Sequence, residues 1–242
     1  MQAVLWGKDH TALDELAVEA AGDRAAVAIT RGRHKKAYQY TDPNEDAAVA
    51  IVGPRATLLA VAVGHNGWPA TEAAITTIVD ALGDDPPPAD VADEELVDLF
   101  HRAGHAILEV TGRPDAQHAS SRTTLVVALV AGRRLQWASF GDSAVYAVSP
   151  AAATALARPQ HRFVGYPMPR HAVDVFLERG TMHLTTGAWV VVASDGFVDF
   201  ARPFPTDLVA GDLDAPAVAR GLVLAACDGG AGDNVAVAVA AP

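Results

Sequence analysis

Apolar runs of Val, Ala, Leu and Ile, broken by Gly, Pro, Asp and Asn, divide this chain into short strand-like segments. Ala25–Thr30 and Ala47–Val52 are apolar almost throughout, and Gly53-Pro54-Arg55-Ala56 joins the second to a longer run, Thr57–Gly64. A short Gly/Pro linker between two such runs predicts an antiparallel hairpin. Two helical patterns follow. Ile75, Ile78, Val79 and Leu82 repeat at i, i+3, i+4, i+7 behind Pro69, with Gly83 as the stop. Asp93 caps a second pattern, Glu94–Val110, which sets Leu96, Leu99, Phe100, Ala103 and Ile107 on one face.

Three further strands read at Thr124–Val130, Leu135–Phe140 and Ala144–Val148, with Gly132-Arg133-Arg134 and Gly141-Asp142-Ser143 as the turns of two hairpins. Residues 150–180 contain four prolines and read as irregular. A strand pair, His183–Leu184 and Trp189–Ala193, is expected around Thr185-Thr186-Gly187. Pro216 opens a third helix, Ala217–Cys227, which ends at Gly229-Gly230, and Val235–Ala240 is the last strand. Residues 14–23 are acidic and alanine-rich, weakly helical in character. They suggest an N-terminal extension over 1–24 preceding one domain over 25–242. Many antiparallel strands with two helices between them and one near the end predict an α+β fold, a four-layer αββα sandwich with helices on the outer faces of a β-sandwich.

Composition narrows the function. With 242 residues, half of them hydrophobic, the chain has enough apolar surface for one full core. A net charge of −11 argues against nucleic-acid and anionic-membrane partners. The densest basic stretch, Arg31-Gly32-Arg33-His34-Lys35-Lys36, reads as a solvated loop. Lone Cys227 excludes an internal disulfide framework and fits a reducing cytoplasm. No signal-like segment opens the chain, and no apolar stretch reaches ~18 residues, so neither export nor membrane spanning is expected. Abundant Ala, Val, Asp and Arg with little Lys and Ile point to a GC-rich, bacterial source.

Three carboxylates stand at strand ends. Asp195 follows the apolar run Trp189–Val192 within Ala193-Ser194-Asp195-Gly196, Asp142 lies in Phe140-Gly141-Asp142-Ser143, and Asp233 in Gly232-Asp233-Asn234-Val235. Each is open to two readings, a turn residue bonding nearby amides or a ligand of a hard cation such as Mg²⁺ or Mn²⁺, which takes oxygen donors. Ser143 and Ser194 lie outside any nucleophile elbow and read as turn residues. His101 and His105, four apart on a helix, have no further ligand nearby and read as surface histidines. Trp68 reads as a packing anchor at a helix start.

Taken in order, the motifs resemble the metal-dependent PPM (type 2C) serine/threonine protein phosphatases, from about Ala25 to Ala240. Asn44-Glu45-Asp46-Ala47 is similar to the family's N-(E/Q)-D-(A/S) start. Leu58–Gly67 occupies the place of its apolar strand ending in V-x-D-G-H/M-G-G. Thr123-Thr124-Leu125 is similar to its G-T-T segment, Ser139–Ser143 to N-x-G-D-S-R, Val191–Phe197 to L-x-S-D-G-L, and Gly232–Val237 to D-N-x-T-x-x. The resemblance implies that Asp195 and Asp233 hold a first metal, Asp46 (with Glu45 nearby) and the carbonyl of Gly64 serve a second, and Asp142 lies near a third. Mg²⁺ or Mn²⁺ is the implied cofactor, a metal-bound water the implied nucleophile, and a phosphorylated or regulatory protein the implied partner. His65 is a possible outer neighbour of the site.

The chain departs from the pattern where it matters most. Val63 falls at the family's bridging aspartate, Thr41 at its phosphate-binding arginine and Ala144 at the arginine after G-D-S. The region between Val148 and His183 is shorter than the family's flap, with only Gln160-His161 as a trace of D-H-S. These losses together lead to the expectation of a weak or inactive, pseudophosphatase-like protein that works by binding. The alternative is an active divergent enzyme using Asp46, Asp142, Asp195 and Asp233, and a third possibility is a binding domain unrelated to phosphatases.

Overall fold

In the computed structural model, which describes residues 1–36 and 41–241, the apolar runs form two antiparallel six-stranded sheets. Sheet A has the order β1 (Gln2–Trp6), β4 (Ala47–Val52), β5 (Thr57–His65), β6 (Arg122–Ala131), β7 (Arg134–Phe140), β10 (Glu178–His183). Sheet B runs β2 (Leu16–Ala21), β3 (Ala25–Thr30), β12 (Val235–Ala240), β11 (Trp189–Ala193), β8 (Ala144–Ser149), β9 (Ala152–Ala155). Helices α1 (Pro69–Leu82) and α2 (Asp93–Thr111), with the short α3 (Arg170–Phe176), cover sheet A. The short α4 (Asp195–Phe200) and α5 (Ala215–Asp228) cover sheet B. This is the αββα sandwich expected from the pattern.

Burial explains why the central strands do not alternate apolar with polar residues. In β4 and β5, Ala47, Val49, Ala60 and Ala62 face the helices, while Ala48, Ala50, Leu59 and Val61 face the other sheet. Both faces are covered, so both must be apolar. Sheet B repeats the arrangement, with Val190, Val192, Ala236 and Ala238 turned to the sheet interface and Val191, Ala193, Val237 and Val239 to α5. The helix ends are closed locally. Asp214 Oδ1 accepts from the Ala217 N–H at 2.8 Å to start α5. Asp93 is the first residue of α2 and not its cap; Glu95 reaches back to accept from the Ala92 N–H at 3.2 Å.

Four expectations need correction. Residues 16–21 form strand β2, not a helix, paired along its length with β3. The segment read as an extension supplies an edge strand to each sheet, since β1 also pairs with β4 from Gln2↔Ile51 to Trp6↔Ala47. Gly141-Asp142-Ser143 is not a hairpin turn: β7 lies in sheet A and β8 in sheet B, so these residues carry the chain across the sandwich. Likewise β10 pairs with β7, and β11 with β8 and β12, so Thr185-Thr186-Gly187 joins two sheets and not two paired strands. Among the described residues no helix is long and apolar enough to cross a membrane.

Candidate metal centre

The β4–β5 register positions the first carboxylate. Its last pair is Ala47↔Ala62, so one step further Asp46 stands opposite Val63, and two steps further Glu45 opposite Gly64. The contact of Gly64 with Glu45 agrees: a Cβ on Gly64 would lie 2.3 Å from the Glu45 carbonyl oxygen. Only glycine allows that approach. Residues directly opposite in an antiparallel pair share a face. Asp46 and Val63 therefore continue the row of Ala48 and Val61 toward the sheet interface, and Val63 packs on that core. From sheet B, Asp195 begins α4 directly after β11, and Asp233 lies just before the adjacent β12. Asp142 sits on the crossover into β8, the other neighbour of β11.

A buried lattice of hydrogen bonds fixes these ends. Asn234, 1% exposed, accepts from the Glu45 N–H at 3.1 Å and donates through Nδ2 to the Pro43 carbonyl at 2.9 Å, tying the loop before β4 to β12. The Gly7 N–H donates to the Asp46 carbonyl at 2.8 Å. Ser194 Oγ accepts from the Ala236 N–H at 2.9 Å, and a Cβ on Gly196 would meet the Asn234 carbonyl oxygen at 2.0 Å. Thr124 and Ser143 share a hydroxyl hydrogen bond of 2.6 Å. Both serines are thus structural.

The carboxylates feel one another. Burial, followed by the charges of Asp195, Asp233 and Glu45, pushes Asp46 well above the usual carboxylate range against the opposing pull of Lys36. Burial and then Asp233 and Asp142 push Asp195 up to about 7. Asp142 is raised as well, chiefly by burial. Both Asp46 carboxylate oxygens are buried without a hydrogen-bond partner. Asp195 Oδ1 accepts from the Gly196 N–H at 2.9 Å, and Asp233 Oδ1 from the Asn234 N–H at 2.7 Å. Glu45 Oε1 accepts from the amides of Thr41 and Asp42, at 3.1 and 2.9 Å.

Among the described residues one cation lies inside this group, and sequence reasoning missed it. Lys36, assigned to a solvated loop, keeps its side chain only 5% exposed, with Nζ 3.0 Å from Asp233 Oδ1 and 3.9 Å from Glu45 Oε2. Burial pulls its pKa down, but Asp233, Asp46 and Glu45 outweigh burial and the net shift is upward, so the group stays charged. Arg33, His34 and Lys35 do face outward, while Arg31 is half-buried and Gly32 buried, and Arg33 pairs with Asp14 and Asp228. No spacing rule marks Lys36. The available hint was electrostatic, since several carboxylates without their usual arginines need a positive charge from elsewhere.

Other candidates lie apart from the acids. The exposed His65 ring stacks on Phe163 with centroids 5.0 Å apart. His101 and His105 meet on α2 at 3.3 Å between Nε2 atoms. Gln160 holds the crossover, its N–H donating to the Gly141 carbonyl at 2.9 Å. Lys8 Nζ sits 4.3 Å from the Trp68 ring centroid, as suits a packing role. Among the described residues no group of three or more His, Cys, Asp or Glu side chains is arranged to hold a metal ion.

An αββα sandwich with acidic strand ends from both sheets at one pole is the PPM-type phosphatase fold, and solved structures share it. The chain is similar to a bacterial serine phosphatase at 17% identity and TM-score 0.76, over 90% of this chain and 97% of that one. It is similar to the catalytic domain of serine threonine protein phosphatase PstP, solved in complex with 2 manganese ions, at 24% identity and TM-score 0.69, over 94% and 99%. The serine/threonine phosphatase Stp1 from Staphylococcus aureus matches at 16% identity and TM-score 0.72, over 96% of both chains. No protein-family model matches the sequence. No curated protein matches it either.

Proposed function

We propose that this chain is a phosphatase-fold protein with little or no hydrolytic activity of its own, which acts by binding a phosphoprotein or a regulatory protein partner. The observation that carries this reading is Val63. It stands opposite Asp46 at the end of β5, with its side chain committed to the sheet-interface core. Two dications ~3.5–4 Å apart repel by roughly 17 kcal/mol even at an effective dielectric of about 20. A shared carboxylate offsets much of that, and an aliphatic side chain offers no oxygen to either ion. The donors present therefore do not fit a pair of divalent cations. Thr41, at the expected phosphate arginine, is exposed and contributes its backbone N–H to Glu45. A pole rich in carboxylates also repels a phosphate dianion, so a partner's peptide surface carries most of the binding.

A second reading has its own support. The buried, unpartnered oxygens of Asp46 favour a site that accepts Mg²⁺ or Mn²⁺ and serves a divergent phosphatase built on Asp46, Asp142, Asp195 and Asp233. Hydrolysis of p-nitrophenyl phosphate and of a phosphothreonine peptide, each with Mn²⁺, Mg²⁺ or EDTA, separates the two. Turnover at the level of buffer in all three supports the binding protein. Metal-dependent turnover lost in Asp195→Ala establishes the enzyme instead.

A further inference from the structure

The carboxylates of Asp46, Asp195 and Asp233 need positive charge, and the chain carries its own. Lys36 reaches in with Nζ 3.0 Å from Asp233 and 3.9 Å from Glu45, on a side chain 5% exposed. Asp46, opposite Val63, is buried and has no hydrogen-bond donor for either oxygen. Buried carboxylates in such a group survive only beside a cation or as neutral acids. We propose that the Lys36 ammonium is the resident cation of this centre, standing in place of a divalent ion, so that the fold is completed at this pole without metal.

Several features of the site agree with a single tethered monocation. One positive charge in place of two dications removes the need for a bridging oxygen at position 63, where the chain has valine. An ammonium also needs no fixed coordination shell, whereas Mg²⁺ demands near-ideal octahedral oxygens. A lysine suits this place, because it carries a compact point charge on a flexible four-carbon stem where arginine would bring a rigid planar fork. A divalent ion entering the centre has to displace Lys36 from Asp233 first.

The experiment reads metal binding and stability, not catalysis, so it stands apart from the activity assay above. Wild type, Lys36→Ala and Lys36→Gln are melted in EDTA and in about 1 mM Mn²⁺, and free Mn²⁺ is followed by electron paramagnetic resonance. A site with Kd near 10 μM would raise Tm by about 5–10 °C at that concentration. Wild type is expected to shift by less than about 2 °C and to bind Mn²⁺ at least about tenfold more weakly than Lys36→Ala. Both variants should melt lower than wild type in EDTA and recover most of the loss in Mn²⁺. Tight Mn²⁺ binding by the wild type overturns the proposal whatever the variants do. So does a Lys36→Ala or Lys36→Gln protein as stable as wild type in EDTA, or one whose Mn²⁺ affinity is unchanged. If neither variant folds in either buffer, the wild-type titration decides alone.

Discussion

Single residues hold the acidic pole together, and two of them give measurable consequences. Asn234 satisfies the Glu45 N–H and the Pro43 carbonyl from a position 1% exposed. Asn234→Ala leaves both groups buried and unpaired, which costs roughly 2–6 kcal/mol at the 1–3 kcal/mol typical of each such group. Urea denaturation should show that loss with an unchanged slope. Asp195 yields the pH dependence. Its pKa rises from an ordinary 3.8 to about 7 in the folded protein, through burial first and then Asp233 and Asp142. Between those values the folded state holds a proton that the unfolded chain has released. Stability therefore falls as pH rises from about 4 to about 7 and levels off above. A shift of about three units corresponds to ~4 kcal/mol, and partial solvent access reduces the expected fall to about 2 kcal/mol. Asp195→Asn keeps the oxygen that accepts from the Gly196 N–H and removes the titration, so its stability in EDTA should be flatter across that window and higher than wild type near pH 8. An unchanged slope would assign the pH dependence elsewhere.

At the level of elements, the strands buried on both faces were the most legible. Ala25–Thr30, Ala47–Val52, Trp189–Ala193 and Val235–Ala240 end where the apolar runs end, because a strand covered on both sides has to be apolar throughout. Edge strands carry no such constraint. Leu16–Ala21 has the alanine and glutamate of a helix, yet pairing with β3 overrides that weak preference. The two sheet-crossing links were illegible for a different reason. Gly141-Asp142-Ser143 has turn chemistry whether the next strand pairs with the last one or leaves for the other sheet; only tertiary packing decides. The site shared this division: its motif acids could be read from short ordered patterns, whereas Lys36 lies in no pattern and joins them through folding. Because β1 and β2 each complete a sheet, deleting residues 1–24 should not trim a tail. It exposes the hydrogen-bonding edges of β4 and β3 and removes Ala3, Leu5 and Ala21 from the sheet-interface core. The truncated chain is expected to aggregate or to lose its cooperative melt, measured by size-exclusion chromatography and calorimetry. A monomer with wild-type Tm would show the strands to be dispensable.

For the whole molecule, the proposed binding role makes Val63 and Lys36 jointly responsible for excluding a pair of metal ions from this pole. Val63→Asp alone adds a carboxylate opposite Asp46, in a pocket where Asp46 is already well above its usual range. With Lys36 still seated at 3.0 Å from Asp233, the new acid gains a proton or a share of the ammonium more readily than a dication. Lys36→Ala alone removes the resident charge but restores no bridge, so it should bind about one Mn²⁺ and hydrolyse little. The double variant Lys36→Ala/Val63→Asp supplies the bridging oxygen and vacates the cation position, and two dications that repel by roughly 17 kcal/mol at an effective dielectric of about 20 then share a ligand. It should hold close to two Mn²⁺ per chain by elemental analysis after gel filtration, and show hydrolysis of p-nitrophenyl phosphate that EDTA abolishes. The two substitutions contact one network, so their effects on metal affinity should exceed the sum of the singles. If Val63→Asp alone takes up two ions and turns over substrate, Lys36 is no barrier and position 63 by itself separates the two kinds of site. If the double variant binds no more metal than Lys36→Ala, the acids are held too far apart by the lattice around Asn234, and the rigidity of the two sheets, not the charge within them, keeps the centre from taking a metal pair.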